Sequence, residues 1–348
     1  MGFSDRILGR KSSNGTPHIE SVAPSAALTG GELRITGSGL RPSQLARPKV
    51  TFGDHEGAIV VSSDGFVVTR VPEGATSGPV AVATDGHVSN PQTVKIAVPI
   101  AENLHPVTNP AIDAEGNIYV TFSGSRGQKV PVSIFKIDTN YNVKPFVSEM
   151  MNPTSIAFDR QGQMYVSSRF DGAVYRVAPN GTMTTYAEGM GVATGIAFDR
   201  EESLYVGDRN GTVFKIARDQ QVFVFATLEM SVSAYHLAFG PQGDLFVTGP
   251  NDRVFKIDPS GTVSTFYKGL GRPQGLAFDV DGNLFVAASL AGTRGIAKIS
   301  PDGKAKLEVS GQGLVGLAFA PGRSVILATT NAVHHLSWNI QGQRLLPE

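Results

Sequence analysis

Ser155-Ile-Ala-Phe-Asp-Arg-Gln-Gly-Gln-Met-Tyr-Val166 is the stretch on which the fold turns. A short apolar strand runs into Asp-x-x-Gly, a tight turn, and an aromatic then opens a second strand. The same words return as Gly195-Ile-Ala-Phe-Asp, His236-Leu-Ala-Phe-Gly and Gly275-Leu-Ala-Phe-Asp. A weaker copy starts at Pro110 and a decayed one at Gly316. The equivalent positions Asp113, Asp159, Asp199, Gly240, Asp279 and Ala320 are spaced by 46, 40, 41, 39 and 41 residues. Six copies at a period of roughly 40 predict six radially closed blades of four short strands.

Within each copy the remaining strands are also legible. Gly211-Thr-Val-Phe-Lys-Ile and Arg253-Val-Phe-Lys-Ile alternate as third strands, and Asn180-Gly181 and Ser260-Gly261 turn into fourth ones. Phe158, Phe198, Phe239, Phe278 and Phe319 recur at one position and are expected to pack between neighbouring blades. The motif Asp-x-x-Gly-Asn-Leu/Ile-Tyr/Phe-Val, at Asp113 to Val120 and Asp279 to Val286, resembles NHL-repeat propellers. The wider likeness, over residues 99–348, is to SMP-30/gluconolactonase-like six-bladed β-propellers.

Residues 17–98 read differently. Leu33 to Gly37, Val50-Thr-Phe-Gly-Asp, Gly65-Phe-Val-Val-Thr-Arg-Val-Pro, Gly78-Pro-Val-Ala-Val-Ala-Thr and Thr93-Val-Lys-Ile-Ala-Val are short alternating strands separated by turn signals. Gly30-Gly31, Ile35-Thr36-Gly37, Val50-Thr51-Phe52-Gly53, Val71-Pro72 and Gly78-Pro79-Val80 resemble an IPT/TIG domain, which implies an immunoglobulin-like β-sandwich. The chain is thus expected to be all-β: a flexible tail over 1–16, a sandwich over 17–98 and a propeller over 99–348. Bacterial domains that resemble this one serve as spacers or adhesion modules, whereas others in transcription factors bind DNA.

Composition narrows the function. Lys+Arg 30 against Asp+Glu 30 gives a formal net charge of +0 over 348 residues. In the N-terminal module Arg34, Arg41, Arg47, Lys49, Arg70 and Lys95 are offset by Glu20, Glu32, Asp54, Glu56, Asp64, Glu73 and Asp85. No basic stripe exists for nucleic acid or for an anionic membrane. Cys 0 excludes disulfides, thiolate metal sites and cysteine nucleophiles. Met1 to Lys11 lacks the apolar core of a secretory signal, and no apolar run approaches the ~18 residues of a membrane span. The expected setting is cytoplasmic, or the cell envelope or exterior if a leader has been removed.

A catalytic set is hard to find. The resemblance to gluconolactonases implies a divalent metal held by a Glu and Asn or Asp residues, each four positions before the aromatic that ends an inner strand. Those positions here are Thr108, Thr154, Thr194, Tyr235, Gln274 and Val315. A hard cation needs several anionic oxygens, so no metal or cofactor is expected; Ca²⁺ or Zn²⁺ enters only if a hydrolase works with an altered site. His105, His236, His334 and His335 do not converge in the repeats as zinc ligands would, and no Gly-x-Ser-x-Gly elbow occurs. Gly311-Gln-Gly313-Leu-Val-Gly316 runs into a strand instead of opening a helix, against a dinucleotide loop. Asp279-Val-Asp281-Gly-Asn283 resembles a calcium loop, but its twelfth position is Leu290, so its carboxylate is expected to cap a turn.

What remains is the face onto which the loops between second and third strands project. Arg169, Asp208, Arg209, Arg253 and Arg294, with Tyr235, His236 and Gln274 on the inner rim, are the candidate ligand-binding residues; Arg126, Asp171 and Asn251 lie beside them. Arg forks there would hold an anionic or polyhydroxyl ligand, with Asp208 orienting Arg209. The expected function is a non-enzymatic scaffold for a small polar or anionic ligand, a glycan or a protein. The alternative is a gluconolactonase-like hydrolase.

Overall fold

The computed structural model describes residues 16–43, 46–122, 124–125, 127–249 and 251–343. Residues 1–15 of the expected tail and Arg126 lie outside the described residues. Every element among the described residues is a strand. The chain divides into two compact units between Ile96 and Ala97.

In the first unit His18–Ala23, Glu32–Ser38, Phe66–Arg70 and His55–Ser62 pair in that order. The start of His55–Ser62 also pairs with Lys49–Phe52, which continues to Gly78–Thr84 and Gln92–Ile96. Alternation decides which side is buried: Leu33, Ile35, Val50, Phe52, Val80, Val82, Val94 and Ile96 feed one core, while their neighbours face outward.

The second unit is a β-propeller. Five four-stranded sheets stand by themselves, where the repeats predict six blades. The remaining copy, made of Leu276–Phe278, Leu284–Leu290, Thr293–Ile299 and Ala305–Ser310, pairs in the same antiparallel succession but is not a sheet of its own. The inner strands touch in the order Ala111–Ile112, Pro153–Phe158, Ala193–Phe198, His236–Phe239, Leu276–Phe278, Leu314–Ala320 and back to the first.

Closure of the ring uses a strand from the other end of the unit. Val98–Glu102 pairs with Ala332–Ser337, supplying the outermost strand of the sheet built from Leu314–Ala320 and Ser324–Thr329. This pairing draws Val98 into the propeller, so the division falls two residues earlier than the expected one at 98.

Between adjacent inner and second strands the recurring aromatics meet edge to face. Tyr119–Phe158, Tyr165–Phe198, Tyr205–Phe239, Phe246–Phe278 and Phe285–Phe319 have ring centroids 5.6, 5.0, 5.0, 4.8 and 5.3 Å apart. A third ring joins four of these pairs from the outer strand, Phe146, Tyr186, Phe225 and Phe266, and the last pair is joined by Trp338, just past Ala332–Ser337. Such pairs contribute ~0.5–1.5 kcal/mol each beyond their area, which makes them the cement between blades.

Candidate open-face site

Six inner strands begin side by side, and their first side chains are spent on one another. Thr108 Oγ1 donates to the Thr154 carbonyl at 2.8 Å, and Thr194 Oγ1 donates to the Gly207 carbonyl at 2.9 Å while accepting the Tyr235 amide at 3.0 Å. Thr248 Oγ1, at the end of the second strand Leu245–Thr248, likewise donates to the Gln274 carbonyl at 2.5 Å. These hydroxyls tie the strand ends on this side together, because a buried main-chain carbonyl costs free energy until it is paired.

One residue further along, the side chains nearly vanish. The six equivalent positions are Asn109, Ser155, Gly195, His236, Gly275 and Gly316. A Cβ on Gly195 would sit 2.9 Å from the His236 Cα, one on Gly275 would sit 2.7 Å from the Gly316 Cα, and one on Gly316 would sit 2.6 Å from the Asn109 amide. Glycine lets main chain touch main chain, and the Gly195 amide reaches the Tyr235 carbonyl at 2.8 Å and the Gly275 amide the Val315 carbonyl at 3.0 Å. Asn109 then ties two further inner strands together. Its Nδ2 donates to the Leu276 carbonyl at 2.8 Å and its Oδ1 accepts the Leu317 amide at 3.0 Å. Sequence reasoning passed over Asn109, although the repeat shows it: it is the single Asn in a column otherwise filled by Gly, Ser and His.

Most of the candidate arginines are engaged by the protein. Arg294 Nε donates to the Leu314 carbonyl at 3.1 Å and Nη1 to the carbonyls of Gly271 and Arg272 at 3.3 and 2.8 Å. Its Nη2 donates to Gln274 Oε1 and to the Leu314 carbonyl. Burial, aided by Arg272, pulls its pKa down to about 10, so it stays charged at neutral pH. Arg294 is a clamp between sheets, where a ligand-holding fork was expected. Arg209 Nε donates to the Ser231 carbonyl at 3.3 Å, and the Arg209 carbonyl accepts the Ser231 amide at 2.9 Å. Arg253 Nη1 faces Glu229 Oε1 at 3.4 Å, and Arg169 Nη2 donates to the Gly124 carbonyl at 3.2 Å.

Asp208 does not orient Arg209. Its Oδ1 accepts the amides of Val192 at 2.9 Å and Asn210 at 3.1 Å, and it ends its strand as a turn cap. The local reason is sequence spacing: Asn210 lies two residues on, within reach of an Asx turn, whereas the Arg209 side chain leaves in the direction of Ser231. Asp171 is committed likewise, to Ser168 Oγ at 2.7 Å and Tyr175 OH at 3.1 Å. Asn251 donates to Glu229 Oε2. Glu229, which the sequence reading did not single out, is thus the carboxylate that organises this part of the face.

Tyr235 and His236 remain. Tyr235 is fully buried and its hydroxyl donates to the Glu229 carbonyl. Burial and the nearby Asp208 and Glu229 push its pKa up to about 12, so it is a donor and stays protonated. His236 is 5% exposed, and its ring makes no hydrogen bond to another described residue. Burial, with the Arg294 charge second, lowers its pKa to about 4, leaving a neutral imidazole at physiological pH. Among the described residues no three His, Asp or Glu side chains converge as metal ligands would. Asp279, the former calcium-loop candidate, accepts the amides of Asp281 and Asn283 at 3.1 and 2.8 Å and the Asn283 Nδ2 at 2.7 Å, as a turn cap does.

Comparison with known proteins agrees with this architecture. A family model for the IPT/TIG domain matches residues 17–96. No curated protein sequence matches the chain. Among solved structures, an auxiliary nutrient binding protein from Bacteroides thetaiotaomicron aligns over 92% of this chain and 98% of its own, at 13% identity and a TM-score of 0.57. A gluconolactonase-family structure aligns over 71% of this chain and 93% of its own, at 16% identity and a TM-score of 0.59. Virginiamycin B lyase from Staphylococcus aureus aligns over 83% of this chain and 99% of its own, at 15% identity and a TM-score of 0.52. At these identities the likeness to the solved structures is one of fold, a β-propeller.

Proposed function

We propose that the chain is a non-enzymatic binding scaffold: a propeller of six blades whose open face takes a small polar ligand, with an immunoglobulin-like IPT/TIG module as spacer or second contact surface. Counting Leu276 to Ser310 as the sixth blade rests on the shared strand succession and on the cyclic contact of the inner strands. The observation that carries the reading is His236, a buried neutral imidazole at the head of an inner strand with both ring nitrogens uncommitted among the described residues. An imidazole in that state offers one donor and one acceptor, which suits a hydroxyl or amide better than a carboxylate. The candidate Arg donors are largely engaged by carbonyls and Glu229, which moves the preference from anions held by forks towards polyhydroxyl or glycan ligands. Support also comes from fold neighbours described as nutrient binding proteins.

The test is thermal denaturation of the full chain against a panel of monosaccharides, oligosaccharides and sugar acids, repeated with His236→Ala. A binder present at a hundred times its Kd stabilises by ~2.7 kcal/mol, and the shift is expected to vanish in the variant. A panel of lactones is incubated in parallel with Ca²⁺ and Zn²⁺. Metal-dependent turnover would replace the scaffold with a gluconolactonase-like hydrolase, and a ligand shift untouched by His236→Ala would move the site elsewhere.

A further inference from the structure

The turn end of the propeller is alike in four copies of the repeat and different in two. Asp113, Asp159, Asp199 and Asp279 cap their turns, whereas Gly240 and Ala320 at the equivalent positions carry no carboxylate. The turn after Ala320 is held by chain that follows the strand Ala332–Ser337. The carbonyl of Arg323, a residue at φ 57°, accepts the amides of Trp338 at 3.2 Å and Asn339 at 2.8 Å. Arg323 Nη1 also reaches Asn339 Oδ1 at 3.4 Å. Trp338 is buried there, stacked on Phe319 at 6.4 Å and edge-on to Phe285 at 5.2 Å.

From this anchor the chain crosses to the inner strand Leu276–Phe278. The Val280 amide donates to the Gln341 carbonyl at 3.0 Å and the Gln343 amide to the Phe278 carbonyl at 2.8 Å. Asp279 and Gly342 stand opposite one another in an antiparallel bridge. The Asp279 amide is spent on the Asn283 carbonyl of its own sheet at 3.0 Å. Alternation along a strand therefore turns the main-chain groups of Phe278 and Val280 the other way, onto the edge that faces the axis of the ring. Among the described residues no other inner strand gains a partner on that edge at its turn end. Position 342 needs glycine, because a Cβ there would run into the Phe319 side chain.

We propose that residues 340–343 are a releasable latch. Shut, they tie the sheet of Leu314–Ala320 to the inner strand Leu276–Phe278; open, they swing about Trp338 and Asn339 while every sheet stays folded. The hold is slight compared with that inside a blade. No residue from 340 to 343 is fully buried, so two main-chain bonds and the fit of Gly342 carry it. Gln343 Oε1 is enclosed with no hydrogen-bond partner among the described residues, a cost that exists only while the latch is shut. A segment with few buried contacts and few bonds to break opens locally, at a free energy well below that of global unfolding. Opening bares the Phe278 carbonyl and the Val280 amide and widens the axial opening at the turn end.

Amide hydrogen exchange on the full chain tests the latch without any substitution. The Val280 and Gln343 amides are expected to exchange at least about a hundredfold faster than those of Asp279 and Ala287, which are bonded to neighbouring main chain within their own sheet. Low denaturant is expected to leave the fast rates unchanged, since the opening exposes little surface. Gly342→Ala, and separately Gln343→Pro, which deletes the donor to Phe278, are each expected to speed Val280 exchange at least about tenfold. The Gln163 and Ser203 amides, on the caps of two other blades, are expected to keep their rates. Trp338 is the only tryptophan of the chain, so its emission reports on the hinge and is expected not to shift in either variant. Val280 and Gln343 amides as slow as those of Asp279 and Ala287 would overturn the proposal, because the segment would then be an integral part of the fold. So would a variant that speeds exchange equally in all blades, or a red-shifted Trp338 emission, either of which would make the segment part of the packing between sheets.

Discussion

The two ends of each propeller blade solve the same problem, satisfying turn and strand-end polar groups, by opposite means. At the end carrying the Asp-x-x-Gly turns the solution is local and repeated. Asp113, Asp159, Asp199 and Asp279 each accept the amide four residues on, all at 2.8 Å. At the end where the inner strands begin the solution is long-range and different in every blade. Thr108 reaches the next blade, Asn109 bridges Leu276 and Leu317, and Gly195 and Gly275 bond directly to neighbouring main chain. The first end is a module that tolerates copying; the second is a joint assembled from unlike parts, and it is where a site can form.

That contrast has measurable consequences, the largest at the joint. Gly275→Ala drives a methyl to 2.7 Å from the Gly316 Cα and 2.9 Å from the Val315 carbonyl, both rigid main chain, and should cost ~3 kcal/mol or more in denaturant unfolding. Gly303→Ala, at φ +80° in a turn with open space around it, should cost only ~1 kcal/mol. Equal losses would erase the distinction between joint and module.

His236 gives the joint a pH dependence. Its folded pKa of about 4 lies below the ~6.5 of an unfolded chain, so between those values the unfolded state binds the proton and the native state does not. Stability should be intact above pH ~6.5 and fall by about 3 kcal/mol as pH drops to ~4, with no further loss from this group below it. His334 and His335 are lowered by burial too and push the same way. His236→Gln should flatten the largest part of the slope; an unchanged profile would mean the imidazole is solvated.

Smaller effects separate the two ends further. Asn109→Ala leaves the Leu276 carbonyl and Leu317 amide without their bridge and should cost ~2 kcal/mol by thermal unfolding. Asp279→Asn keeps the amide acceptor and loses chiefly the bond from Asn283 Nδ2, for ~1 kcal/mol. A reversed order of these two would place the sensitive joint at the turn end.

The amino-acid sequence alone determined that the chain is all-β, that its larger part repeats every forty or so residues, and that aromatics and turn aspartates recur within each repeat. These follow from local rules, alternation and turn chemistry, which act over a few residues and leave a periodic trace. Tertiary structure decided which strand closes the ring, since Val98–Glu102 meets Ala332–Ser337 across more than two hundred residues. It also decided that Arg294 is a clamp, that Asp208 caps amides instead of guiding Arg209, and that Asn109 and His236 occupy the joint. A side chain's partners there are main-chain atoms of other blades, whose positions depend on how the ring assembles, and no spacing along the chain encodes them.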